Sequence, residues 1–260
     1  MTNVFRTDLF SGKTVLVTGG GSGIGLAIAR TFGALGARVV IAARDVERLS
    51  SAQQSLQAEG VEVISLPVNI RDNDSVLALF EGLSEHGIQV DVLVNNAGGQ
   101  FAAPALDISP GGFRAVIDLN LQGSFQMSQA YANHCINGGQ GGAIINIVLC
   151  QEQGIPGMAH AAAARAGVVN LTKTLAWEWA PHQIRVNAVA PGTIETEGLE
   201  NYDQDNLQAG IEQLLIQRMG SPDEVGQAVA FLASPAASFI TGICLAQDGG
   251  EHLTGASPQL

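Results

Sequence analysis

A glycine turn set between a strand and a helix near the start of this chain leaves it few folds to adopt. Thr14-Val15-Leu16-Val17 is an apolar run suited to a buried strand, and Leu26-Ala27-Ile28-Ala29-Arg30-Thr31-Phe32 has helical spacing. Between them lies Thr18-Gly19-Gly20-Gly21-Ser22-Gly23-Ile24-Gly25. Glycines let a backbone turn sharply and approach a ligand closely, and the free N–H groups at a helix start favour a pyrophosphate. Such a turn predicts a dinucleotide site with Gly19, Ser22, Gly23, Ile24 and Gly25 in contact with the cofactor; tight strand-to-helix packing is the other reading. The spacing Gly19-x-x-x-Gly23-x-Gly25 differs from the commoner G-x-G-x-x-G form.

Strands and helices alternate through the rest of the chain. Arg38–Ala43 reads as a second strand, continuous in apolar residues as in a sheet covered on both faces. An acidic residue at its end accepts the ribose 2′-hydroxyl of NAD, whereas an arginine accommodates the 2′-phosphate of NADP. Here position 43 is alanine and position 44 arginine, followed by Asp45. Arg44 therefore points to NADP(H), with a solvated charge pair opening the next helix as the alternative. A helix over Glu47–Glu59, a strand over Val61–Leu66, a helix over Asp74–Glu85 and a strand over Val90–Val94 follow. Loops at the carboxyl ends of parallel strands line the ligand crevice, which adds Asn69, Ile70, Asn96, Ala97 and Gly98 to the cofactor contacts.

A long amphipathic segment, Gly112–Asn137, carries Asn120; then come a strand over Ala143–Val148, a helix over Ala159–Pro181 and a strand over Ile184–Ala190 stopped by Pro191-Gly192. Thr193–Gln217 is irregular and acidic in its first half and helical in its second, as in a substrate flap. Ser221-Pro222-Asp223-Glu224 carries a capping box with proline in the first turn. With a last strand over Ile240–Ala246, the pattern predicts one doubly wound Rossmann-type α/β domain spanning residues 1–260, with about seven parallel strands and helices on both faces.

Composition narrows the partners. Twelve Lys and Arg against 24 Asp and Glu give a net charge of −12, which repels nucleic acid. Cys135, Cys150 and Cys244 are odd in number and lack metal-ligand spacing, so a reducing compartment and no metal site are expected. No run reaches membrane-spanning length, Met1–Phe10 lacks a signal-peptide core, and Ser257-Pro258-Gln259-Leu260 lacks the basic residue of a peroxisomal S-K-L address. A cytoplasmic protein without membrane contact is the expectation.

In Thr18–Gly25, Asn95-Asn96-Ala97-Gly98, Asn120 and Arg185-Val186-Asn187-Ala188-Val189-Ala190-Pro191-Gly192, the chain resembles the short-chain dehydrogenase/reductase family along nearly its whole length. The resemblance implies cofactor contacts at Pro191, Gly192, Ile194 and Thr196, and a homo-oligomer, dimer or tetramer, joined through the two long helices. Family members usually reduce a carbonyl with a Ser–Tyr–Lys set. The matching positions here are Val148, Ala161 and Arg165. An alkoxide formed from a ketone needs an acid beside it, and Ala161 supplies none. Reduction of a double bond conjugated to a thioester differs, because charge collects on the thioester oxygen, where hydrogen-bond donors stabilise it and water protonates carbon.

A closer resemblance points the same way. Asn69-Ile70-Arg71, Asn95–Phe101, Ala163–Val168 and Ser234–Gly242 look like the peroxisomal trans-2-enoyl-CoA reductases and, less closely, the 2,4-dienoyl-CoA reductases, which use NADPH on unsaturated acyl-CoA. By this resemblance Arg165 takes over the ribose hydroxyls from the family's lysine, unless it forms a structural ion pair; Asn120 holds the geometry of the helix or an ordered water. Cys150 and His160 are reactive side chains near the replaced positions. Cys150 either faces the acyl group or is a buried thiol, and His160 either donates to a thioester oxygen or only opens a helix. A catalytically silent NADP(H)-binding sensor or subunit partner is the alternative function.

Overall fold

Seven parallel strands form one sheet in the order β3-β2-β1-β4-β5-β6-β7 in the computed structural model, which describes residues 5–149, 154–198 and 204–254. β1 (Thr14–Thr18), β2 (Arg38–Ala43) and β3 (Val63–Pro67) run outward to one edge. The chain then returns to the centre, and β4 (Val92–Asn95), β5 (Gly142–Ile147), β6 (Ile184–Pro191) and β7 (Cys244–Gln247) run to the other edge. This reversal leaves a crevice at the carboxyl ends of β1 and β4, where sheets of this kind bind ligands.

The apolar continuity of the strands is explained by cover on both faces. Val15, Val17, Val39 and Ile41 pack into one core cluster, with Phe32 of α1 (Gly23–Ala34), Leu49 of α2 (Val46–Ala58) and Val229 of α8 (Pro222–Ala233). The alternate residues Leu16, Val40 and Leu93 face a second cluster with Leu79 of α3 (Asn73–Glu85), Met127 of α5 (Gly123–Asn137) and Leu175 of α6 (Ala159–Trp179). Period-two side-chain alternation thus serves two cores, so no polar face interrupts the strands.

Several bounds differ from the sequence reading. The expected segment Gly112–Asn137 is one helical run from Pro110 in three pieces, α4 (Pro110–Ile117), a π turn (Asp118–Gln122) and α5. Val61 and Val90 precede β3 and β4, and β7 begins at Cys244 rather than Ile240. There, Ile240 O accepts from Asn187 Nδ2, Thr241 Oγ1 accepts Val186 N–H, and Gly242 turns at φ 78°, so the ladder forms only beyond them. In the flap, α7 spans Gln204–Glu212. Cys150, Glu200 and Asp203 lie outside the described residues. Among the described residues no helix is long and apolar enough to cross a membrane.

Candidate active site

Thr18, the last residue of β1, ties the glycine turn to β4. Its Oγ1 donates to Val94 O and accepts the N–H groups of Asn96 and Ala97, each at 3.0 Å. In return Asn96 Nδ2 donates to Thr18 O at 3.0 Å and Gly19 O at 3.3 Å. The turn itself needs glycine twice over. Gly19 and Gly23 take φ values of 66° and 50°, and a Cβ on Gly25 would overlap Gly19 O and lie 2.5 Å from Asn96 Nδ2. Ser22 enters α1 extended and gives it no side-chain cap, so the first N–H groups of that helix remain for a ligand.

A cleft of about 920 Å³ opens over this turn. Of the residues expected to touch a cofactor, Gly19, Ser22, Gly23, Ile24, Gly25, Arg44, Ile70, Asn96, Ala97, Gly98 and Thr196 line it together. A glycine cradle that side chains would fill, bounded by helix N–H groups and by arginines, fits a dinucleotide with a pyrophosphate at its middle. Other expected residues stand behind the wall. Asn69 shapes the turn after β3, its N–H bonded to Ser75 Oγ and its Oδ1 accepting Arg71 N–H. Pro191 pairs with Gln247 at the end of the sheet, Gly192 packs on Asp248 and Glu251, and Ile194 is bridged to Gly220.

The cleft also contains residues the sequence reading passed over. Arg48 lies one helical turn beyond Arg44 and lines the same end, while Asp45 is occupied as the cap of α2, accepting Arg48 N–H at 3.0 Å. A second basic residue in the first turn after Arg44 was the signal available for it. Val68 and Leu119 line the wall without any local signature.

Asn120 sits fully buried in the π turn and reaches the loop after β4. Its Oδ1 accepts Gly99 N–H at 3.2 Å, and its Nδ2 donates to Gly99 O and Val116 O, both at 2.8 Å. Deeper in, Asn95 Nδ2 donates to Ser128 Oγ and Asn146 Oδ1, and Asn146 Nδ2 donates to Thr172 Oγ1, so a buried polar chain fastens α5 and α6 to β4 and β5. Arg165 is buried under Gly98. Its Nη1 donates to Ile147 O at 2.7 Å, its Nε has no partner, and no carboxylate pairs with it among the described residues. Burial without a counter-ion pulls its pKa down to about 10.

Ala161 is enclosed by the apolar cluster of Val116, Met158, Leu149 and Ile155, and Val148 is buried with Val168 and Ala190. His160 is fully buried at the start of α6; its Nδ1 accepts Ala161 N–H at 2.7 Å, its Nε2 has no partner among the described residues, and burial lowers its pKa. Phe101 rests edge-on against the imidazole, ring centroids 4.4 Å apart.

Residues 19–252 match a family model described as "Enoyl-(Acyl carrier protein) reductase". The chain is 37% identical over 246 residues to a probable 2,4-dienoyl-CoA reductase of Bacillus subtilis (strain 168), covering 93% of this chain and 97% of that one. It is 37% identical over 258 residues to the peroxisomal 2,4-dienoyl-CoA reductase of Pongo abelii, covering 97% and 88%. Among solved structures it is similar to the citronellol catabolism dehydrogenase of Pseudomonas aeruginosa PAO1, with TM-score 0.87, 38% identity and coverage of 97% and 100%.

Proposed function

The chain belongs to the short-chain dehydrogenase/reductase family of oxidoreductases, and from that premise we propose that it is an NADPH-dependent reductase of an α,β-unsaturated acyl-CoA, a 2,4-dienoyl-CoA or a trans-2-enoyl-CoA. The observation that carries this reading is Ala161, packed among apolar side chains four residues before Arg165, which lies against Gly98 of the cleft lining; a carbonyl reductase of the family keeps its acid at that position. The names of the relatives support the same substrate class.

Ala43 offers no carboxylate to a ribose 2′-hydroxyl, Asp45 in the same lining is engaged by Arg48, whose N–H it accepts and whose Nε lies 4.0 Å away, and Arg44 and Arg48 together put two cations in the cleft, which suits a 2′-phosphate. When bound, the reduced nicotinamide supplies a hydride to the conjugated carbon chain. The chain's own part is to bind and orient. The glycine turn and the α1 N–H groups hold the pyrophosphate, Asn120 holds the Gly98–Gly99 backbone, and Arg165 beneath Gly98 serves the ribose hydroxyls. Water returns the proton to carbon. Phe113, Phe125 and Trp177 leave apolar surface on α4, α5 and α6, consistent with a dimer or tetramer built on those helices.

The test is NADPH oxidation with hexa-2,4-dienoyl-CoA, trans-2-hexenoyl-CoA and 3-ketohexanoyl-CoA, with products identified by mass. Reduction of an unsaturated thioester and not of the ketone is expected. Tight NADPH binding without turnover of any of the three would instead indicate a silent nucleotide-binding protein.

A further inference from the structure

His160 holds a hydrogen-bond donor for which no acceptor is found among the described residues. Because Nδ1 accepts the Ala161 N–H, the proton of the neutral imidazole resides on Nε2. That Nε2–H is buried and has no partner among the described residues. An orphaned donor inside a protein is costly, and one left unmet in a native site points to an acceptor that arrives later.

Its surroundings identify the place. Ala161 follows directly, and Arg165, four residues beyond Ala161 and on the same helix face, lies against Gly98 of the cleft wall. Three residues after Gly98, Phe101 packs T-shaped against the imidazole while remaining 44% exposed itself. The Phe101 loop is pinned just beyond, Ala103 N–H donating to Gly157 O at 3.0 Å, so the loops on the two sides of the site meet there. Phe101 is thus a large apolar side chain, half in solvent, packed on the imidazole.

Resting on the reductase reading, we propose that His160 is a catalytic residue whose Nε2–H, uncovered when the acyl group displaces Phe101, donates a hydrogen bond to the thioester oxygen of the substrate. Hydride from NADPH forms the new C–H bond, and the displaced π-electron pair moves through the conjugated chain onto that oxygen, giving an enolate. His160 keeps its proton and stabilises the oxyanion, and water protonates carbon to restore the thioester carbonyl. Its buried imidazole resists protonation, which preserves the neutral donor.

The experiment binds hexa-2,4-dienoyl-CoA to the protein loaded with NADP⁺, so that no reduction occurs, and reads the dienoyl absorption band. A hydrogen bond to the thioester oxygen polarises the conjugated system and moves the band to longer wavelength. The red shift is expected in the wild type and in His160→Gln, which retains an N–H donor, and is lost in His160→Leu. With NADPH, His160→Leu is expected to lower kcat about 100-fold, the usual effect of removing one oxyanion donor, with KM for NADPH unchanged. On the wild-type protein, ¹⁵N-histidine spectra give the same answer without a variant, the His160 Nε2 resonance moving on addition of the thioester. No shift in the wild type, or a shift that survives in His160→Leu, overturns the assignment. A shift without any turnover would sink the reductase reading while leaving the His160 contact standing.

Discussion

The carboxamide of Asn120 pairs with both backbone groups of Gly99, accepting its N–H at 3.2 Å and donating to its carbonyl at 2.8 Å, as a neighbouring strand would. The loop that follows β4 is thereby fastened to the π turn of the long helix, and Gly98 is held at the cleft wall. Asn120→Ala removes the side-chain partner of both Gly99 backbone groups in a partly buried site, which costs about 2 kcal/mol and lowers Tm by roughly 5 °C for a chain of this size. Asn120→Asp is expected to be worse than Ala, because a carboxylate would face two carbonyl oxygens. Differential scanning calorimetry of both variants, beside NADPH turnover, checks the order.

Neighbouring glycines on that loop should respond very differently to one added methyl. A Cβ on Gly98 would overlap the Arg165 guanidinium and lie 2.6 Å from Asn120 Oδ1, whereas a Cβ on Gly99 would meet only the Leu119 side chain at 3.3 Å. Gly98→Ala must push a buried cation off Ile147 O, its one hydrogen-bond acceptor among the described residues. We expect kcat/KM for NADPH turnover to fall more than 10-fold in Gly98→Ala, about 1.4 kcal/mol or more of lost stabilisation, and to stay within about threefold in Gly99→Ala. Equal losses in the two would mean that Arg165 does not contribute to cofactor use.

Arg44 and Arg48 both line the cleft, and Asp45 between them, also in its lining, caps α2 and lies 4.0 Å from Arg48 Nε. Replacing either arginine by alanine is expected to raise KM for NADPH about 10-fold, in line with the loss of one charge-assisted phosphate contact, and to leave KM for NADH nearly unchanged. Initial rates with both cofactors settle the point. An equal effect on NADH would place these arginines outside the 2′-phosphate site.

What the sequence made legible here is local in origin. Gly19, Gly23 and Gly25 are required by the turn they stand in, and Ser221 with Glu224 forms a capping box within four residues, so both were readable without knowing the rest of the fold. The π turn was not readable, because Asn120 acquires its role from Gly99, 21 residues away, across a helix whose amphipathic pattern runs through the irregularity. The early start given to β7 failed for a similar reason. Ile240 and Thr241 look like strand residues, but their hydrogen-bonding groups are claimed by Asn187 and Val186. Arg48 belongs to the cleft only because α2 docks where it does, and the surroundings of Arg165, against Gly98 and with no carboxylate paired to it among the described residues, depend on a loop 67 residues earlier in the chain.

Glu224 provides a test of the scaffold behind the glycine turn, since α8 packs against α1 with Gly226 seated on Thr31. Its carboxylate receives both guanidinium arms of Arg218, at 2.7 and 2.9 Å, and the Ser221 N–H at 2.8 Å, and these donors hold its pKa down to about 2. The folded value lies below the ordinary 4.5, so the native state binds this proton less readily than the unfolded chain does. The stabilisation is therefore complete above pH 4.5 and is lost as pH falls toward about 2. Glu224→Gln keeps an acceptor for the Ser221 N–H but removes the charge facing Arg218. Urea denaturation at a series of pH values should show wild type more stable than the variant near neutrality, with the gap narrowing below pH 4.5 and closing near pH 2. A gap that is independent of pH over that window would assign the difference to packing of the helix start, not to the ion pair.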